Sequence, residues 1–566
     1  MTPAMVMTAT TVIALWLQSG GVVPPPPQEE PARFLPAPPS LERRVAPPRS
    51  PQELRVDRYQ SVQVNVDANG NNIVGDAANE PTIAIHPTNP NRMAIGWRQF
   101  DSIQSDFREA GWAYSRDNGR SWTFPGVLEN NVFRSDPVLA ADIEGNFYYY
   151  SLTVNSEYTC DMFKSTNGGE SWIGPIPAYG GDKAWTAVDL TGGIGDGNIY
   201  AAWDYAGCCG NNWFTRSLDA GLTYMAPIAI PLQPMWGTVA VGPDGEMFVA
   251  GRAYSSNSIF VVVRSTNAKD PAFPPTFDLA VQPNLGGALE YYLGSGSPNP
   301  AGLLGQVWIA VNHATGPNHG HVYMLSSVNP PGADPLDVKF IRSINGGSTW
   351  SSPLRVNDDP VGTNAWQWFG TLSIAPNGRL DAVWNDTREG PDYHWSRVRY
   401  SYSNDDGLTW AASAPITPVF NSHVGWPQQQ KLGDYYHMIS DNVGASLAYA
   451  ATFNGEEDIY YVRIGDYDCN GNGVPDPQDI AGGTSTDVNQ NGIPDECESV
   501  GDLNCDGTTG FADINPFVLY LSGFADWQAA YPGCDPKNGD INGDGTYGEG
   551  SFADINPFVA LLSAAK

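Results

Sequence analysis

Two oxygen-rich patterns in this 566-residue chain could do chemistry. The first lies near the C-terminus. Asp468, Asn470, Asn472 and Asp476 are echoed by Asp487, Asn489, Asn491 and Asp495, and oxygen ligands alternating with small residues wrap a chain around a hard cation such as calcium. Asp502, Asn504, Asp506 and Asp513 then fall at positions 1, 3, 5 and 12 of a loop with Gly507 at position 6 and Thr508 after it. Asp540, Asn542, Asp544 and Thr546 repeat that loop, and its closing ligand is either Asp554, three residues late, or Glu549. The second pattern is scattered. Arg98-Gln99-Phe100-Asp101, Arg134-Ser135-Asp136, Asp182-Lys183-Ala184-Trp185, Trp366-Gln367-Trp368, Asn385-Asp386-Thr387-Arg388 and Gly433-Asp434-Tyr435-Tyr436-His437 mix carboxylates, guanidinium forks and aromatic rings. Brought together, they would suit a sugar, which stacks on Trp or Tyr, bonds its hydroxyls to Asp and Asn, and pairs an acidic group with Arg.

Elements that could gather these residues are visible in a recurring octamer. Ser403-Asn404-Asp405-Asp406-Gly407-Leu408-Thr409-Trp410 has close copies at Ser115–Trp122, Ser165–Trp172, Ser217–Tyr224 and Ser343–Trp350, and a decayed copy begins at Ser265. A period near 50 residues, with Gly and an aromatic at fixed offsets, predicts a propeller whose repeats bury their faces against one another. The octamer suits a tight hairpin, since Asp or Asn bonds local amides and the following Gly tolerates positive φ. Each octamer follows three strand-like stretches, for example Pro137–Ile143, Phe147–Val154 and Asp161–Ser165 in the second unit. The same triple returns without an octamer at His437–Ser440, Ala445–Phe453 and Asp458–Ile464, making seven units. The seventh lacks a fourth strand, which Ser61–Val66 could supply, removing exposed sheet edges. If those three strands instead complete the sixth unit, the count is six. In a four-stranded unit the octamer hairpin points to one face, and the scattered loops above point to the other.

The octamer resembles the Asp-box of sialidases and related BNR-repeat propellers, in which it is a structural turn away from the catalytic face. That resemblance implies an arginine cluster for a substrate carboxylate, a Tyr nucleophile and an Asp acid/base. Arg98, Arg134 and Arg388 are the candidates for the cluster, Tyr435 or Tyr436 for the nucleophile and Asp136 for the acid/base. An Arg-Ile-Pro motif at the start is missing, Glu80 is the available Glu, and Arg388 stands close enough to Asp386 for a purely structural pair. The alternating repeats of 466–499 resemble thrombospondin type 3 calcium repeats, with Cys469 and Cys497 as their staple. The loops of 500–566, each followed by Phe-Ala-Asp-Ile-Asn-Pro-Phe, resemble a dockerin. This implies calcium, a mainly α EF-hand pair, a Cys505–Cys534 bridge and a cohesin-like partner.

Charge supports this division. The net charge is −32, and residues 466–566 hold 17 acids against 2 bases. So dense an acidic tail excludes nucleic acid as a partner and favours a bound divalent cation. Ala4–Leu17 is apolar but too short to span a bilayer, so 1–21 reads as a signal peptide without a basic start, leaving no transmembrane span in the mature chain. Residues 22–56 are Pro-rich and read as an extended linker before the propeller of 57–465. Cysteine usage fits an exported, oxidised protein, with Cys160 expected to bridge Cys208 or Cys209. The expectation is thus an all-β propeller with calcium-binding tail modules, exported or held at the cell surface and monomeric. It binds a glycan or protein ligand on the face opposite the octamers; the alternative is a sialidase-like glycoside hydrolase acting on acidic glycans.

Overall fold

The computed structural model describes residues 50, 52–103, 105–424, 431–487, 492–494, 497, 500–504, 509–532, 534, 536–542 and 544–564. Contacts divide the chain into Met1–Glu30 and Pro31–Lys566, and every described residue belongs to the second unit. The expected signal segment, most of the linker, and Asn489, Asn491, Asp495, Cys505, Asp506 and Thr508 lie outside the described residues.

Seven antiparallel sheets form the body. Their innermost strands, in chain order, are Ala77–Ile85, Ser135–Ala141, Trp185–Val188, Val239–Val241, Trp308–Val311, Gln367–Ile374 and His437–Ser440. Each packs against the next, and the last packs against the first, so the ring is closed with seven blades. The seam is where the sequence placed it. Tyr59–Gln63 pairs with Asp458–Gly465, Ser61 facing Val462, and completes blade seven as its fourth strand. Arg55–Val56, expected to be linker, adds a fifth.

Hydroxyls clasp neighbouring blades. Thr82 Oγ1 donates to Pro137 O at 3.1 Å and accepts from Leu139 N at 3.0 Å, and Thr238 does the same towards Val307 O and Ile309 N at 3.4 and 3.0 Å. Between blades one and two the interface is so close that a Cβ on Gly96 would stand 2.4 Å from the Tyr149 ring. Blade three departs from the four-strand pattern, having only Trp185–Val188, Ile199–Ala202 and Phe214–Ser217. Pro227 and Pro231 lie where its outer strand would run, and each removes a ladder donor. One bridge, Phe214 to Ile228, remains there.

The octamers are the turns that follow the third strand of their blades, leading into the fourth where one is present. At the sixth-blade copy, Ser403 Oγ donates to Asp405 Oδ1 (2.8 Å) and accepts from Gly407 N (3.0 Å), while Asp405 takes Thr409 N (2.9 Å) and Thr409 Oγ1 (2.6 Å). Asp406 and Gly407 sit at φ 65° and 74°, as a turn closed by a single pair of side chains requires. Trp410 then packs edge-on to Phe340 of blade five, 5.3 Å between centroids, and Trp122 packs on Tyr461 across the seam.

After the propeller come a helix at Asp476–Gly482 and the paired Cys469 and Cys497, whose Cα atoms are 5.7 Å apart. The last segment has its own core of Leu503, Phe517, Tyr520, Leu521, Trp527, Ile541 and Phe558. Its two repeats each turn at Phe-Ala-Asp and continue as helices Ile514–Ser522 and Ile555–Ala564, joined where Phe517 meets Phe558 at 4.1 Å. Among the described residues no helix is long and apolar enough to cross a membrane.

Candidate functional site

Chain direction sends the beginnings of all inner strands to the face opposite the octamers, and a buried charged network forms there. Glu80, Asp136, Lys183, Trp236 and Phe369, in or just before the first residues of five inner strands, all have φ between 46° and 59°. A non-glycine residue held there costs about 1–3 kcal/mol, so the surroundings must enforce it. Bulges accompany three of them, between Asn79 and Thr82, Ser135 and Val138, and Trp368 and Thr371.

The charged groups so placed lie against one another, although both Glu80 oxygens are buried without a hydrogen-bond partner. Arg98 Nε lies 2.9 Å from Glu80 Oε2 and 2.8 Å from Asn79 Oδ1. Lys183 Nζ lies 3.0 Å from Asp182 and 2.8 Å from Asp434, whose same Oδ2 holds Lys431 Nζ at 2.9 Å. Asp136 Oδ2 accepts the Lys183 amide at 2.7 Å. Burial pushes the Glu80 carboxyl up to about 8, against the pull of Arg98 and with Asp434 and Asp136 adding to the rise. Burial also opposes the charge of Lys183, but Asp182 and Asp434 outweigh it and keep the ammonium protonated.

Tyr435 and Tyr436 are both buried. Tyr435 Oη donates to Pro137 O at 3.0 Å and Tyr436 Oη to Ala450 O at 2.6 Å, and burial drives both phenols upward, opposite to what a nucleophile needs. Tyr435 shares the axis with Trp185, 5.3 Å away, which also meets Trp308 and His437. Burial pulls His437 down to about 4, so its ring is neutral, with Nδ1 accepting from Ile83 N.

The three arginines do not form one cluster; each has its own carboxylates. Arg98 serves Glu80, and the buried Arg134 serves Asp161 at 2.8 Å and Glu129. Arg388 binds Asp386 at 2.8 Å and Asp358 at 2.6 Å, with Asp359 at 3.5 Å. Arg98, Asp136 and Tyr435 belong to the axial network, whereas Arg388 alone lines an open cleft. That cleft, about 590 Å³, is walled by Asp359, Thr363, Asn364, Arg388, Asp392 and Tyr393, from the loop joining blades five and six and the second-to-third loop of blade six. Tyr393 and the Asp358-Asp359 pair were not singled out by sequence; adjacent carboxylates before Pro360 were the available signal.

The cysteine pairing differs from expectation. Cys208 is paired with its neighbour Cys209, and Cys160 is free and buried. Cys160 Sγ faces Gly181 O and Cys208 N bonds Gly180 O, so the Gly180-Gly181 backbone lies between the two thiols that were expected to join.

In the tail, the first repeat folds inward on a residue the spacing missed. Asn472 and Asn470 amides reach Asp479 Oδ2 at 2.8 and 3.3 Å, and Asp468 accepts the amides of Asn472 and Gly473. Asp476 instead takes Cys469 N at 2.8 Å and pairs with Arg120, from the first octamer, at 3.1 Å. Gly492 N bonds Asp487 at 2.9 Å. Asp513 closes the third loop on the amides of Leu503, Asn504 and Gly510. In the fourth loop it is Asp554 that turns inward, accepting Asn542 N at 2.9 Å, while Glu549 is exposed. Thr546 N bonds Asp544 at 2.8 Å. Asp540 Oδ1 and Asp554 Oδ2 are buried without hydrogen-bond partners, the condition a hard cation would relieve.

No family model matches the chain, and no curated protein matches it. Among solved structures it is similar to a protein of unknown function from Dyadobacter fermentans DSM 18053, at 12% identity and TM-score 0.41, covering 72% of this chain and 97% of that one. It is similar to the GH93 alpha-L-arabinofuranosidase of Fusarium graminearum at 14% identity and TM-score 0.31, covering 50% of this chain and 92% of that one. A third is the phage phi92 endosialidase, at 9% identity and TM-score 0.39, covering 72% and 69% respectively.

Proposed function

We propose that this is an exported, non-catalytic propeller that binds a glycan in the cleft around Arg388 and is tethered through its calcium-loaded tail. The observation that carries this reading is the contrast between the axis and the cleft. At the axis, Tyr435, Arg98 and Asp136 are buried and engaged with protein groups. At the cleft, Arg388, oriented by Asp386 and Asp358, stands with three carboxylates, an amide and a tyrosine around open space. Such a set bonds hydroxyls and stacks a ring without supplying an activated nucleophile.

Calcium would be held by Asp468, Asn470, Asn472 and Asp479 in the first repeat, and by the loops ending at Asp513 and Asp554. There it would supply charge neutralisation and folding energy rather than catalysis. Tethering is supported by two apolar sets at equivalent positions of the two terminal repeats, Phe511, Ile514 and Val518 against Phe552, Ile555 and Val559. Phe511 and Phe552 are 76% and 65% exposed, and a cohesin-like partner is the occupant proposed for them.

A glycan array probed with the full chain, with Arg388→Ala and with Arg264→Ala as an octamer-face control tests the cleft. Binding that is lost in Arg388→Ala and kept in Arg264→Ala is expected. Equal binding by both variants, or none by the wild type, would count against the reading.

A further inference from the structure

We propose a separate divalent-cation site, selective for hard cations such as calcium, where the propeller ring is sealed. Asp76, Glu456 and Asp458 each direct a carboxylate oxygen into one place, the three oxygens lying within 4.8 Å of one another. Asp76 stands just before the inner strand of blade one, and Glu456 and Asp458 lie in the second-to-third turn of blade seven. The site therefore joins the two ends of the ring.

Convergence of carboxylates alone would mean little; the state of Asp76 adds to it. Asp76 is 6% exposed, and its Oδ2 accepts Gln99 Nε2 at 2.9 Å and Asn65 Nδ2 at 3.4 Å, but its Oδ1 is buried with no hydrogen-bond partner. A buried carboxylate oxygen left bare is costly unless something unseen binds it. Among the described residues no Lys, Arg or His pairs with Asp76 or Asp458. Asp458 is capped by Asn65, Asn454 and Tyr460, and Glu456 by Asn72 and the Gly75 amide. Neutral amides orient the carboxylates without cancelling their charge. The three hard anionic oxygens make a donor set for calcium, and contain no sulfur or imidazole that would favour zinc. The ion would link residues 65–76 to 454–458, holding the seam by a bond that hydrogen-bonded strands alone do not provide.

The test uses the full chain. Calcium content after dialysis against about 1 mM free calcium, a concentration at which extracellular calcium modules fill, is measured by atomic emission for wild type, Asp76→Asn and Asp458→Asn. Each variant is expected to hold one ion fewer per chain. In chelator Asp76→Asn should melt at or above the wild-type temperature, because it removes repulsion, and in calcium below it. A purely structural carboxylate would give no such crossover. Hydrogen exchange on the unaltered protein guards against a variant that does not fold: calcium should slow exchange in both 64–76 and 451–458. Wild-type calcium content in the folded variants, or exchange at both segments indifferent to calcium, overturns the site.

Discussion

Lys183→Met isolates the charge at the centre of the axial network. The substitution keeps the apolar stem and volume, so the hydrophobic contribution is nearly unchanged, and what disappears is an ammonium 3.0 Å from Asp182 and 2.8 Å from Asp434. Lys431 still holds Asp434 at 2.9 Å, but Asp182 loses an ion-pair partner and Asp136 a cation that attracts it. Removing one partner of a buried ion pair costs about 3–5 kcal/mol, because the carboxylate left behind is desolvated and uncompensated. With an unfolding entropy near 2.1 cal/mol/K per residue and a cooperative unit of roughly 400 residues, that corresponds to a melting temperature lower by about 4–6 °C. Calorimetry of the wild type, Lys183→Met, Asp434→Asn and the double variant measures it. The double variant should lose less than the sum of the singles by about 1–3 kcal/mol. A Lys183→Met protein melting within about 1 °C of the wild type would show that the network is solvated and refute the reasoning.

Three further outcomes are expected. Burial raises the carboxyls of Glu80 and Asp204 to about 8 and about 6. A group that binds its proton more tightly when folded gives stability that is lost as pH rises from its unfolded value to its folded one. Denaturation midpoints should therefore fall between about pH 5 and pH 8, Arg98 and Lys431 moderating and Asp136 and Asp434 reinforcing the Glu80 effect, and the slope should flatten in Glu80→Gln. Gly407→Ala should destabilise by about 2–4 kcal/mol in urea unfolding, because φ is 74° and the new Cβ would stand 2.3 Å from the Phe340 ring. In the tail, Asp554→Asn should weaken calcium-induced helix formation in circular dichroism while Glu549→Gln leaves it intact, since only Asp554 is turned into the loop.

Local chemistry was readable in the sequence, and distant pairing was not. The octamers encode their own turn within eight residues, so they phased the blades, marked the faces and left the seventh blade as a residue of the count. Ser61 was found as part of the sealing strand because alternation survives at the edge of a sheet. Arg98 and Arg134, by contrast, looked like exposed binding residues. Their partners Glu80 and Asp161 are contributed by strands 18 and 27 positions away, and only the closed ring shows that burial has made these contacts structural. The Lys183–Asp434 contact joins residues 251 positions apart, beyond any spacing argument. Cys208 lies in the loop expected of it, but Cys160 sits within the strand Glu157–Ser165, opposite Leu152, and the Gly180-Gly181 backbone between the two could not be foreseen. Asp479 escaped because it lies past the repeat that it closes.

Turnover tests the central claim most directly. Purified full-length protein is incubated with an aryl sialoside and a panel of aryl glycosides, beside Tyr435→Phe, and aryl release is followed. The account predicts no release by either protein from any substrate, with glycan binding retained by the wild type. Release by the wild type that Tyr435→Phe abolishes would contradict it.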